Sequence, residues 1–380
     1  MFSANAQLEY ANWIWNDSNQ LAFSQDTVVH ETAPNHAGYS YLGKSHASIS
    51  DRNGNLLFYA ADDRLLDKNG DSIDNGYSWN GAALSISPIP CNDSLFIVFK
   101  SSGYTLNNPA AINVNYQIIN TNGNGGLGEV FQPNTILDST VNTPLDFSIK
   151  RHANNRDFWF VYRHKYDTNS AMYAWHISDT GIAANPVISL QEYFDDVLIF
   201  YSMNDFSPVG NYYAQSYQTT GQGSNNISIT RLLTFNDATG EFQLVGTFNE
   251  TNLSHPDANH SVAFSPDGTK LYCVSMFKAI WQFDLSSGVP STMLNSGQDI
   301  ASFSTNYPAG LLSLRLGIDG KIYVSRGGNN INATTYLGVI NNPNDTGSAC
   351  NFVLNGLQCN QHTQGVLPSI IHNLYVKRTI

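Results

Sequence analysis

The sequence predicts an all-β fold, a single seven-bladed β-propeller whose ring is closed by strands from the N- and C-termini. Two observations carry that prediction. From His260 to Gly288 the chain reads HSVAFSPDGTKLYCVSMFKAIWQFDLSSG, three apolar-alternating runs of which the first two are joined by a Ser-Pro-Asp-Gly turn. About fifty residues later Leu311–Ser325, LLSLRLGIDGKIYVS, repeats the strand–turn–strand unit, and TYLGVINNP supplies a third strand. Val, Tyr, Ile and Phe alternating with polar residues mark half-buried strands. Pro266 presets φ at the first central turn position, and Gly268 supplies the positive φ at the turn's exit. A repeat of roughly 40 to 60 residues built from four strands is the pattern of a propeller blade.

Taken in order, Trp13–Asn16 and Leu21–Ser24 read as two short strands, and 47–62 repeats the unit with Asp-Arg-Asn-Gly as its turn. Ala82–Ser87 and Leu95–Lys100 pair, with Asn115–Asn120 as their third strand. Phe147–Arg151, Phe158–Arg163 and Tyr173–Ser178 form the next unit; Phe206–Gln215, turning at Ser-Pro-Val-Gly, and Ile227–Phe235 form another. Units thus begin near 47, 82, 146, 205, 261 and 312. Two strands remain at the N-terminus and two in LPSIIHNLYVKR at the C-terminus, which together complete a seventh blade and leave no free sheet edge. Six blades with frayed ends is the alternative count. Gly123–Gly128 is glycine-rich but precedes no helix, so it is not a phosphate cradle.

A propeller uses the 380 residues as one domain, here 7–380. Ala4-Asn5-Ala6 before Gln7 has the form of a signal-peptidase site, and residues 1–6 are read as a signal-peptide remnant. Charged residues make up 13% of the chain, the formal net charge is -12, and no stretch is rich in Lys or Arg, which counts against nucleic acid and anionic membrane as partners. No apolar run approaches the roughly 18 residues of a membrane span. Little Lys with abundant Asn, Ser, Thr, Gly and Tyr suits a secreted or cell-surface protein. Four cysteines are present. A hairpin turning at Asn355-Gly356 places Cys350 one diagonal step from the Phe352–Cys359 pair, so a bulge or wider loop would allow a Cys350–Cys359 disulfide. Cys273 lies mid-strand as a buried thiol, Cys91 lies in a turn, and no C-x-x-C pair supports a zinc site.

The segments ASISDRNGNLLFYAADD, NGNGGLGEV, IKRHANNRDFWFV, VAFSPDGTKLYCVS with IWQFDLSSG, LGIDGKIYVSRGG, and YLGVINNPN with CNFVLNG and GVLPSII occur in this order from about 40 to 371. In this the chain resembles the N-terminal propeller of large secreted Bacteroidetes proteins, which carry adhesion-type repeats and a C-terminal domain associated with gliding motility or type IX secretion. YLGVINNPN, then a Cys, then GVLPSII, is the specific part of the likeness. The 380 residues hold no immunoglobulin-like repeats or sorting domain, so export by that route is an implication of the resemblance. No catalytic residues carry over.

Candidate sites follow from residue chemistry. Asp67, Asn69 and Asp71 in DKNGDSID have the spacing of a calcium loop, but its sixth position is Ser72 and its twelfth Ser78, which fits a polar hairpin better. His255, Asp257 and His260 offer three ligands without a fourth. His152, His164 and His176 recur every twelve residues, which follows strand spacing and points them to different loops. Asp195, Asp196 and Asp205 are carboxylates without the pairing a glycosidase needs, and no G-x-S-x-G elbow exists. The loops joining second to third strands and one blade to the next gather on one face of a propeller. There Trp79, Tyr104, Tyr217, His260, Lys278, Tyr307 and Arg326 are the candidate ligand-binding residues, since aromatic faces beside amide and guanidinium donors suit sugars or peptides. Asp26-Thr27-Val28, Asp71-Ser72-Ile73 and Asp93-Ser94-Leu95 match a loose O-glycosylation pattern.

The expectation is therefore a non-enzymatic recognition or adhesion module for a glycan or protein ligand, without a cofactor unless calcium binds. A structural subunit that packs with copies of itself is the alternative, and an axial hydrolase or lyase the second. A binding module predicts an aromatic-lined axial pocket, an assembly subunit contacts along blade edges, and an enzyme paired carboxylates at the axis.

Overall fold

The computed structural model describes residues 8–15, 19–24, 28–33, 46–61, 64–73, 83–102, 112–141, 146–166, 169–193, 199–200, 203–220, 226–251, 253, 259–275, 278–303, 310–327, 334–363 and 365–371. Seven antiparallel sheets follow one another around an axis. Blade 1 holds β1 (Asn12–Trp15), β2 (Asn19–Phe23) and β3 (Val28–Thr32), and blade 2 holds β4 (Ala47–Ser50), β5 (Leu56–Ala61) and β6 (Arg64–Asp67). Blade 3 holds β7 (Leu84–Pro88), β8 (Leu95–Ser102), β9 (Ile112–Asn120) and β10 (Glu129–Val141). In blade 4, β11 (Ser148–Arg151), β12 (Phe158–Tyr166) and β13 (Asn169–Ser178) are completed by β14 (Gly181–Ile182) and β15 (Val187–Tyr193), both paired with β13. Blade 5 starts with β16 (Ile199–Phe200) and β17 (Asp205–Phe206), both on β18 (Tyr212–Thr220), and continues through β19 (Asn226–Asn236) and β20 (Glu241–Thr247). Blade 6 is β21 (Asn259–Phe264), β22 (Lys270–Ser275), β23 (Ala279–Asp284) and β24 (Gln298–Ser302), with a short helix α1 (Pro290–Leu294) before its last strand. Blade 7 is β25 (Gly310–Leu316), β26 (Ile322–Gly327), β27 (Tyr336–Ile340) and β28 (Phe352–Gln358).

The turn chemistry read from the sequence recurs around the ring. Gly268 has φ +71°, and Gly54, Gly210 and Gly320 take the same conformation at the matching turns. Asp267 tightens the first of these by accepting the Thr269 N–H and the Ser265 hydroxyl. The first strands carry serines that stitch neighbouring blades together where backbones cannot pair. Ser48 Oγ donates to Asn12 O, and Ser261 Oγ accepts from Leu314 N at 3.0 Å. Between blades the core is aromatic: Phe99 and Phe160 stack at 3.7 Å, and Trp159 Nε1 reaches Asp237 O at 2.8 Å.

Closure departs from the expected two strands from each end. Blade 1 takes three strands from the N-terminus, and Trp13 packs on Tyr323 of blade 7 at 5.7 Å. Residues 365–371 join no ladder, and Pro368 among them has no N–H to give. They lie instead at the end of the axis where the first strands begin. Ser325 Oγ donates to Gly365 O, Leu367 N donates to Ser313 Oγ, and Ser369 N donates to His46 O, at 2.6, 3.0 and 2.8 Å. Val366, Leu367, Ile370 and Ile371 are buried there. The second expected C-terminal strand and the expected signal remnant, residues 1–6, lie outside the described residues.

Candidate functional site

Of the seven residues expected to bind ligand, three have described side chains, Tyr217, Lys278 and Arg326, and these three do not assemble into one site. Trp79, Tyr104 and Tyr307 lie outside the described residues; His260 stands near the start of β21, and its side chain is likewise outside them. Tyr217, on β18, is 4% exposed, with the Arg163 guanidinium 5.3 Å from its ring centre, so it packs between blades 4 and 5. Arg326, on β26, is also 4% exposed and donates to Leu354 O and Asn355 Oδ1 inside blade 7. Lys278 is half-buried in the turn between β22 and β23. Tyr217 and Arg326 are corrected to packing residues for one reason: strand alternation says that a side chain faces a neighbour, not whether the neighbour is a blade or solvent.

The other candidates divide. Asp67 Oδ1 accepts the backbone N–H groups of Asn69 and Asp71 at 2.7 and 3.0 Å, and Ser72 bridges back to Leu66, so this stretch forms a polar hairpin. The disulfide is corrected. Asn355-Gly356 sits inside β28, which pairs with β27 from Phe352 to Gln358, so Cys350 and Cys359 flank opposite ends of one strand. Seven residues at about 3.3 Å each hold them far beyond disulfide reach, and all four cysteines are free. Cys273 is buried, which pushes its thiol well up. Two of the histidines do meet. His152 and His176 lie 5.0 Å apart around Trp159, with His176 Nε2 3.1 Å from Asp157, while His164 pairs with Asp138 at 2.9 Å in the interface with blade 3. Asp195, Asp196, His255 and Asp257 lie outside the described residues. Asp205 is buried at the axis near Asp146, whose carboxyl burial pushes up to about 7, with the Arg315 guanidinium opposing that rise. Among the described residues, this end of the axis is packed by the aliphatic segment 365–371.

A cleft of about 490 Å³ opens on the opposite face, where first strands turn into second strands. Three such turns build it: Asp51–Asn53 of blade 2, Pro88–Asp93 of blade 3, and Arg151–Phe158 of blade 4. Glu9, just ahead of β1, closes the fourth side. Ile49, Leu57, Ile89, Phe96 and Phe158 make an apolar floor. The mouth holds three of the chain's nine arginines. Arg52 pairs with Asp93 at 2.6 Å, both exposed, and Arg156 with Asp157 at 2.8 Å. Asp51 is spent on its own turn, accepting from Asn53 N, Asn55 N and Asn55 Nδ2, which holds its carboxyl below the usual range. Arg151 donates Nε and Nη2 to Asn155 O, and burial lowers its pKa. Glu9 is raised by burial and makes no ion pair with either nearby arginine among the described residues. Cys91 lines the rim, exposed, with φ +61°. Sequence reading missed this site because its residues lie in three turns about forty to sixty residues apart. The available signal was arginine placed in turns, DRNG and RHANNRD, in a chain poor in arginine.

Among the described residues no group of three metal-ligating side chains converges, and no helix is long and apolar enough to cross a membrane. No family model matches the chain, and no curated protein matches it. Among solved structures it is similar to Sqt1 from Chaetomium thermophilum, at 16% identity and a TM-score of 0.39, over 69% of this chain and 61% of that one. It is similar to the same protein bound to the N-terminus of ribosomal protein L10, at 15% identity and TM-score 0.39, over 69% and 63%. It is also similar to the β-propeller domain of Cps50 (Swd1) from Myceliophteria thermophila, at 11% identity and TM-score 0.45, over 86% and 94%. The match thus spans about three fifths of the Sqt1 chains. The blades themselves establish the seven-bladed propeller.

Proposed function

We propose that this chain is a non-catalytic recognition propeller that holds a segment of another protein in the cleft between blades 2, 3 and 4. The observation that carries the reading is the combination of an apolar floor with three arginines at one concave site. Clefts of this size with a few placed polar groups are the usual form of a ligand site, and arginine is enriched where interfaces bind tightly. A protein ligand is favoured over a glycan because the cleft's two aromatic rings, Phe96 and Phe158, are 5% and 4% exposed and present no face for a sugar to stack on. The test is to probe the intact chain on a linear-peptide array and a glycan array, with calcium and with EDTA. Peptide hits that disappear in Asn53→Trp, which fills the mouth, are expected. Glycan hits alone, or peptide hits indifferent to Asn53→Trp, would overturn the reading. Loss of binding in EDTA would return Asp67, Asn69 and Asp71 to consideration as calcium ligands.

A secreted or cell-surface setting belongs to the same proposal, supported by the low lysine content and the resemblance to exported propellers. Its check is the native protein's distribution between cells, surface and medium. Self-assembly is the second reading, favoured by Phe131 and Ile136 on β10 and Tyr193 on β15, which stand 61%, 58% and 72% exposed on the outer edges of adjacent blades. A mass that rises with concentration in light scattering would support it.

A further inference from the structure

We infer that the segment held in the cleft is anionic, and that it docks a carboxylate on Arg151 while an apolar side chain next to it enters the floor beside Leu57 and Ile89. This rests on the recognition reading above and names the chemistry of its ligand.

The argument is one of unmet charge. Arg52 and Arg156 have carboxylates of their own within 2.8 Å. Arg151 does not. It spends Nε and Nη2 on a single carbonyl, Asn155 O, and Nη1 has no hydrogen bond among the described residues. Its half-burial has removed water without placing a carboxylate in contact with it, and contact with a carboxylate is what normally offsets such desolvation. Glu9 is the nearest candidate. Its charge and that of Arg151 favour each other's ionised forms, but it makes no ion-pair contact with Arg151 among the described residues. A ligand carboxylate on the free edge of Arg151 supplies what the site lacks through a charge-assisted hydrogen bond. The surrounding charge agrees. The chain as a whole is acidic, at -12. Yet of its described arginines that are not buried, only Arg64 lies away from this cleft. Releasing Arg52 toward the same ligand costs little, because its pair with Asp93 is exposed on both sides and such pairs are weak. The apolar floor sets the second half of the motif, an aliphatic or aromatic side chain beside the acidic one.

The experiment selects random linear peptides displayed on phage against the intact chain, then titrates the enriched sequences calorimetrically as synthetic peptides. Expected are sequences with Asp or Glu adjacent to Leu, Ile or Phe. Changing that acid to its amide in the peptide should weaken binding tenfold or more, with no change to the protein. Arg151→Ala should do the same with the unfolding temperature monitored, Arg64→Ala should not, and added salt should weaken the wild-type complex. Enriched peptides that are neutral or basic, blocked by Asn53→Trp but indifferent to Arg151→Ala, would overturn the carboxylate and leave the recognition reading standing. Failure to enrich any peptide with folded protein would overturn both. Acidic oligosaccharides binding in place of peptides at an Asn53→Trp-sensitive site would overturn the peptide assignment.

Discussion

At the scale of single residues, Glu192 does the most between blades. It stands on β15 and accepts Arg163 Nη2 at 2.8 Å and a two-pronged contact from Arg231 at 2.8 and 2.6 Å, joining blade 4 to blade 5. The hydrogen bonds from Arg231 are the main reason its carboxyl stays below the usual range. Both guanidiniums are over nine-tenths buried, so removing the acid strands two cations. Glu192→Gln is expected to cost about 3 kcal/mol in denaturant unfolding, whereas replacing all three residues by apolar ones should cost far less. Asp146 works in the other direction. In the unfolded chain its carboxyl loses its proton near the ordinary value, but in the folded chain only near 7. Between those values the native state holds the extra proton, so the stability this group contributes falls as pH rises through the window and is level above it. Asp146→Asn should therefore match the wild type in unfolding temperature only at pH below the ordinary carboxylate value, and exceed it by more at pH 8 than at pH 5. Equal differences at both pH values would refute the assignment. Neither residue was legible in the sequence. Glu192 lies 29 positions from Arg163 and 39 from Arg231, and Asp146 reads as an ordinary acid until three blades enclose it.

At the scale of elements, turns decide more than strands. The tight turn from β19 to β20 ends at Gly240 with φ +80°, and a Cβ there would sit 2.8 Å from the Trp159 ring of the neighbouring blade. Gly240→Ala combines backbone strain with a clash and is expected to lose on the order of 2 kcal/mol. A near-neutral result in thermal unfolding would show that the Trp159 ring can move aside. Asn355-Gly356 teaches the converse lesson. The dipeptide is a strong hairpin signal, yet it lies within β28, where the register shifts between Leu337 and Val339 and accommodates the irregularity as a bulge. The edge of blade 3 is managed similarly: β10 carries four register shifts and Pro133, which count against open-ended pairing with another chain.

At the scale of the whole molecule, the ring and the cleft are two consequences of one arrangement. Residues 365–371 tie blade 7 to blade 2 at one end of the axis, burying four aliphatic side chains. Each buried side chain of this kind contributes about 1.5–3 kcal/mol, so a chain ending at Gln364 loses a sum comparable with the net stability of a domain. It is expected to unfold at much lower temperature or fail to fold, and an unchanged transition would remove the closing role. The sequence by itself determined the blade: alternation of apolar residues, Ser-Pro-Asp-Gly turns with glycine at positive φ, and a count that reaches seven only when the N-terminal strands are included. These are local properties, legible because a strand and its turn are specified by residues within about ten positions of one another. Only the tertiary structure decided which side chains face a neighbouring blade and which face solvent, what closes the ring, and where a concave surface forms. Those outcomes depend on contacts between residues tens to hundreds of positions apart. A period of two in the sequence names a face of a strand but not what lies opposite it.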